Sequence, residues 1–233
     1  MIKKIWNSRW ILRSIIKTVW FNFHYLPIKQ AIRLPILLYR PKFIKCKGKI
    51  QLTGKIKFGM IQLGRNVVSV YPNTGFVYEN KGGTLTFGGE CLIGNASYMS
   101  LGEVSNVYIG NRFCATASFK FISYYKVYLE DKVTFGWDCI LMDTDFHKMK
   151  KIGGGYTKGY GSINIGEGTW FGFQSSVLKN TRTPKYCTFA SHSIISGDLS
   201  GNPNYSLFTP NVKSEVKISG IYRDVDDDQI IFQ

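Results

Sequence analysis

The chain runs to 233 residues with a formal charge of +15, 44% hydrophobic residues and five cysteines. This length suits one domain with appendages. It holds no run of about 18 apolar residues, which excludes a helical bilayer span. An odd cysteine count without a CxxC pair speaks against metal clusters and redox pairs and for a reducing compartment.

Charge divides the chain in two. The first 78 residues hold fifteen Lys and Arg, and no acidic residue precedes Glu79; beyond that point fifteen basic residues balance fifteen acidic ones. Residues 1–45 read as a basic, aromatic, mostly helical segment carrying Trp6, Trp10, Trp20, Phe21, Phe23 and Tyr25. Ile2 to Phe23 fits an uneven amphipathic helix whose apolar face is interrupted by cations. Arg9 and Arg13 break any signal-peptide core, and no small-residue cleavage site follows. Basic residues mixed with aromatics suit an anionic membrane surface, contacted through residues 1–57. The same composition suits nucleic acid or simple capping of the domain that follows. Peripheral association of a cytoplasmic protein with the inner face of the cytoplasmic membrane is the expectation, with no nucleic-acid partner.

Residues 46–200 are governed by a period of six. Ile165, Phe171, Val177, Thr183, Phe189 and Ile195 recur at that spacing, and Thr169, Ser175, Thr181, Cys187 and Ser193 follow the first five by four residues. Neither a helix nor a half-buried strand has this period. A parallel β-helix does: each six-residue unit makes one short side and a corner, with large residues filling the interior and small ones easing the turn. Related openings stand at Leu63-Gly64, Phe87-Gly88, Ile109-Gly110, Leu129-Glu130 and Ile165-Gly166, at intervals of 24, 22, 20 and 36 residues. Against an 18-residue coil these predict ragged early coils with corner insertions. Cys91, Cys139 and Cys187 fall in the small-residue slot as packing thiols.

Residues 143–162, DTDFHKMKKIGGGYTKGYGS, break the register and read as a loop projecting from a corner. Long loops in compact domains are often functional. Regular coils resume to about residue 198, followed by a C-terminal tail, 201–233. There Val212 to Ser219 is expected to form a short strand or helix, and Asp224 to Asp228 a solvated end.

The repeat, with Asp143-Thr144-Asp145-Phe146-His147 and the segment Ile163 to Gly172, resembles the hexapeptide-repeat acyltransferases, a family that includes bacterial sugar and polysaccharide O-acetyltransferases. The resemblance covers roughly Ile50 to Asp198. It implies an all-β solenoid, a left-handed parallel β-helix; the handedness comes from the family, since parallel crossovers are normally right-handed. It also implies acetyl transfer from acetyl-CoA to a hydroxyl of a sugar or glycan acceptor, without metal, in a homotrimer with sites between neighbouring prisms. A sugar hydroxyl attacks a thioester only as a base removes its proton, and histidine suits that task at neutral pH.

Of His24, His147 and His192, only His147 lies in the inserted loop, two and four residues after Asp145 and Asp143, either of which would orient its imidazole. The alternative is a loop histidine among lysines. His24 sits in an aromatic cluster suited to packing, and His192 at an outward position. By the resemblance, Trp170 lines the acceptor or pantetheine channel; the flexible Gly153-Gly154-Gly155 loop, with Tyr156 and Tyr160, is expected to close over the acceptor. Lys179, Arg182 and Lys185 are placed for coenzyme A phosphates or as a solvated basic face. Gly201 to Asn204 and Thr209 to Lys213 each match in part the segment that relatives place near the adenine. Many relatives also place an asparagine near the acceptor, and Phe113 to Ala117 contains none.

Three other readings stay open. Acylation of a nucleotide amino sugar would use the same base on an amine. A non-catalytic β-helix scaffold would bind no coenzyme A. A hydratase of the γ-carbonic anhydrase type would need three histidine ligands, hence all three histidines of this chain.

Overall fold

The computed structural model describes residues 2–210 and 221–223, with side chains described from Arg13 to Pro210. Lys213, the segment Val212 to Ser219 and the acidic run Asp224 to Asp228 lie outside the described residues.

The chain winds through three parallel sheets of eight, seven and five strands. The first sheet stacks Ile36–Leu38, Ile61–Arg65, Cys91–Gly94, Phe113–Ala115, Thr134–Phe135, Trp170–Phe171, Thr188–Phe189 and Leu207–Phe208. The second stacks Pro41–Cys46, Phe76–Asn80, Ser97–Leu101, Lys120–Ser123, Ile140–Met142, Ser176–Leu178 and Ile194–Ile195. The third stacks Lys49–Leu52, Thr84–Phe87, Asn106–Ile109, Lys126–Leu129 and Ile163–Ile165, and parallel bridges carry it on through Asn164, Arg182 and Asp198. Each circuit visits the three sheets in the same order. This is the all-β solenoid that the period of six demands, and its parallel strands fit a left-handed β-helix.

Both registers of the repeat are interior. The large set from Ile165 to Ile195 and the small set from Thr169 to Ser193 are buried. In the first sheet Phe135, Phe171, Phe189 and Phe208 stack ring on ring, with centroids 4.5, 5.1 and 4.6 Å apart. Burial of such a side chain is worth roughly 1.5–3 kcal/mol, and an offset aromatic contact adds about 0.5–1.5 kcal/mol. The column is therefore a principal source of stability in the regular coils.

The corners repeat as strictly as the sides. Ala96, Ser118, Asp138, Gln174 and His192 occupy equivalent positions between the first and second sheets, all with φ between 52° and 62°. Left-handed backbone costs a non-glycine residue about 1–2 kcal/mol. Here it aims each amide at the corner below: Ser118, Asp138, Gln174 and His192 donate to Asn95, Ala117, Trp137 and Phe173 carbonyls at 2.8–3.2 Å. His192 is thus an exposed corner residue, set by backbone geometry.

One register assignment differs from expectation. Phe87, Ile109, Leu129 and Ile165 do stack in the third sheet, at their intervals of 22, 20 and 36 residues. Leu63, however, lies in the first sheet and pairs with Ile93; the residue beneath Phe87 is Leu52. Residues 66–75 form a corner excursion, which moved the apparent repeat by one side of the triangle.

The open end of the prism is sealed by helix α1 (Ile2–Tyr25), followed by the short α2 (Ile28–Ala31). An edge strand exposes unpaired backbone groups, and α1 supplies partners for them. Asn22 Nδ2 donates to Ile36 O at 2.7 Å while its Oδ1 accepts the Ile36 N–H at 3.1 Å. The Leu38 N–H donates to Thr18 Oγ1 at 3.0 Å, and the Arg40 N–H to Ser14 Oγ at 3.0 Å. Four residues of helix rise about 6 Å and two residues of strand about 6.6 Å. A column of small polar side chains every fourth residue therefore meets every second residue of the strand. Phe21 and Leu26 close the interior beneath.

Replacing the fully buried Asn22 with Ala is expected to lower stability by about 1–3 kcal/mol, because both Ile36 backbone groups lose their partner. Urea unfolding of the two proteins checks this; an unchanged midpoint would mean that the helix does not seal the edge.

Candidate active site

Residues 143–162 leave the prism where the second sheet hands over to the third. They form a β-hairpin instead of an irregular loop. Antiparallel bridges join Thr144 to Tyr160 and Lys150 to Tyr156. The Asp145 N–H donates to Gly159 O, and the Thr157 N–H to Met149 O, both at 2.8 Å. The turn is made at Gly153 to Gly155, where Gly154 and Gly155 have φ of +95° and +81°, a conformation glycine adopts without a steric penalty. On the outgoing arm, Met149–Lys151 also pairs antiparallel with Ile221–Arg223 of the tail.

Two carboxylates fasten the hairpin's root. Asp143 is fully buried and accepts hydrogen bonds from Ser123 Oγ (2.7 Å), Tyr124 N–H (2.7 Å) and Tyr125 N–H (2.9 Å), all on the preceding coil. Ser123 Oγ accepts in turn from Ser105 Oγ at 2.9 Å, which extends the polar column one coil further. Burial pushes the Asp143 carboxyl above the usual carboxylate range, against the pull of these donors. Asp145 forms an ion pair with Lys179, which stands on the corner of the following coil. The hairpin is therefore pinned to the coil beneath it and the coil above it.

Aromatic packing completes the base. Tyr160 is buried and meets Tyr125 edge-on, with centroids 4.9 Å apart. Lys158 Nζ lies 4.5 Å from the Tyr160 ring centroid and 4.8 Å from that of Tyr125, within cation–π range. Phe146 stands edge-on to Tyr124 at 4.8 Å. His147 follows Phe146 on this framework. Its side chain is half-buried, with Nδ1 shielded from solvent.

The structure gathers some of the candidate residues and separates others. His147, Asp143, Asp145, Tyr156, Tyr160 and Lys179 belong to the hairpin and its footing. Tyr156 lies further out, under Lys148 Nζ at 3.9 Å from its ring centroid. Arg182 sits on the third sheet paired with Asp198 at 3.6 Å, and Lys185 at the next corner paired with Glu130 at 3.1 Å. Trp170 is on the outer face of the first sheet, 49% exposed, between Thr134 and Thr188. Lys213 lies outside the described residues. Ser123, Tyr124, Tyr125 and Lys158 were not legible as parts of this base. Their one signal is the adjacent Tyr124-Tyr125 pair, one coil before the insertion. His24 is occupied elsewhere: it stacks on Trp20 at 4.7 Å, and its Nε2 lies 3.0 Å from Cys46 O. Among the described residues no group of three or more His, Cys, Asp or Glu could hold a metal ion.

The fold defines a parallel β-helix carrying a histidine-bearing hairpin at one corner. In an alignment of 207 positions that covers 86% of the chain, it is 23% identical to a Mycobacterium tuberculosis protein named probable acetyltransferase. The chain covers 58% of that relative's length. No protein-family model matches the chain, and no solved structure does.

Asp143→Ala is expected to cost about 2–3 kcal/mol, since one buried and two part-buried donors lose their acceptor, read as a fall in the urea midpoint. For the more exposed Asp145–Lys179 pair, a double-mutant cycle with Asp145→Asn and Lys179→Met should give a coupling of about 0.2–1 kcal/mol. Strict additivity would show that the pair does not tie the hairpin down.

Proposed function

We propose that this protein is an acetyl-CoA-dependent O-acetyltransferase acting on a sugar hydroxyl of a bacterial surface polysaccharide or its precursor, with His147 as general base. The observation that carries the reading is the half-buried His147 on a hairpin pinned to the coils on either side. The β-helix and the name of the distant relative, a probable acetyltransferase, support acyl transfer as the reaction class.

In this reading the acceptor hydroxyl gives its proton to the His147 imidazole as its oxygen attacks the thioester carbonyl. The tetrahedral intermediate then collapses, the carbon–sulfur bond breaks, and the coenzyme A thiolate takes a proton as it leaves. Backbone N–H groups stabilise the oxyanion. Asp143 and Asp145 act by fixing the hairpin, and Lys179 serves that same footing before any phosphate. Arg182 and Lys185 are the cations offered to coenzyme A phosphates, in exchange for Asp198 and Glu130. Trp170 belongs to a different side of the prism from the hairpin. A homotrimer that sets the Trp170 face of one copy against the hairpin of the next would join them in one channel.

His147→Ala is expected to lower the acetyl-transfer rate by about 10²–10⁴-fold, with coenzyme A binding by calorimetry and the circular dichroism spectrum unchanged. Transfer at the wild-type rate by the folded variant overturns the mechanism. Wild-type protein that gives no heat with coenzyme A favours the scaffold reading.

A further inference from the structure

The sealing end of the prism carries an apolar face that the fold itself does not use. On α1 the residues turned inward are Ser14, Thr18, Phe21, Asn22 and the half-buried Tyr25. At 100° per residue, Ile15, Val19, Phe23, Ile16 and Trp20 span an arc of about 140° facing away from that stripe. All five are exposed: Ile15 54%, Ile16 60%, Val19 38%, Trp20 45% and Phe23 48%. Ile28 and Ile32, at the second helix, extend the apolar surface at 72% and 63%. Between α1 and the first strand this surface opens into a cavity of about 390 Å³ whose apolar walls include Ile15, Val19, Leu34, Leu37 and Phe58. Exposed apolar surface on this scale marks an interaction site.

The rim decides the partner. Arg13, Lys29, Arg33, Lys42, Lys45, Lys47, Lys49 and Lys55 are exposed around this end of the molecule, in a stretch with no acidic residue before Glu79. A second copy docked face to face would bring the same sign of charge against itself. A nucleic acid would engage the cations and leave Ile15, Ile16 and Phe23 in water. An anionic phospholipid bilayer meets both demands: headgroups for the cations and acyl chains for the isoleucines and phenylalanine, with Trp20 at the boundary. Among the described residues no helix is long and apolar enough to cross a membrane, so the contact lies along the surface.

We infer that the α1–α2 end of the prism docks on an anionic phospholipid bilayer, with the outer arc of α1 seated at the headgroup boundary. The inference is independent of the acyl-transfer reading, and its test does not involve catalysis.

The test is co-sedimentation of the full chain with vesicles of phosphatidylcholine alone and of phosphatidylcholine with about a third phosphatidylglycerol, a content at which basic segments gain from lipid charge. Binding should be at least about 10-fold tighter on the anionic vesicles, and weaker as salt rises. Ile16→Glu with Trp20→Glu should lower it by about 10-fold or more, because charged residues replace the side chains that enter the bilayer. Lys45→Glu with Lys47→Glu, which changes only exposed side chains and leaves the helix sequence intact, should weaken it through charge alone. Equal partitioning onto neutral vesicles, or anionic binding untouched by both double variants, overturns the inference. So does self-association through this face, or RNA binding, in protein that ignores vesicles.

Discussion

Vertical superposition governs this structure. From Ala96 onward, successive coils lay their backbone hydrogen bonds, their interior side chains and the torsions of the corner between the first and second sheets over those of the coil below. The phenylalanine column from Phe135 to Phe208 exists only because successive first-sheet strands share a register. The left-handed corner at Gln174 is tolerable only because its amide meets the Trp137 carbonyl. In such an array stability comes from nearest-neighbour interfaces. An insertion is accommodated where it leaves the strands above and below undisturbed, and corners meet that condition.

The candidate site follows from the same rule. The chain leaves the spiral after Met142 and returns at Ile163, and the two flanking strands keep their partners as if nothing intervened. What an insertion lacks is a neighbour above or below to fix its orientation. Asp143 supplies the lower tie by replacing corner backbone acceptors with a carboxylate, and Asp145 supplies the upper one. Buried polar groups of this kind specify one arrangement because leaving any member unpaired is costly. The position of His147 thus rests on groups that are ordinary parts of the solenoid.

Much of this was written in the sequence where the repeat is regular. Ile165 to Ile195 carries two simultaneous periods, and each residue in them marks one wall of the triangle. In the early coils the pattern fades. The excursion at residues 66–75 hides the jump from Leu52 to Phe87, so Leu63 offers a false match in both composition and spacing. The hairpin was legible as an insertion but not as a hairpin, because its alternation is diluted by lysines and the further partner of its outgoing arm, Ile221–Arg223, lies far along the chain. The roles of Asp143 and Asp145 were ambiguous for another reason. An aspartate near a histidine reads as its orienter, whereas the acceptors needed by Ser123, Tyr124 and Tyr125 appear only once the coils are stacked.

The column formed by Ser14, Thr18 and Asn22 gives the molecule a polarity of assembly. The helix precedes the first coil in the chain and offers that coil a ready-made row of donors and acceptors, spaced like a strand. Further coils can stack on the open side of the first strand but not on the side that the helix occupies. A second spiral therefore cannot extend the first sheet by pairing with Ile36–Leu38 on that side.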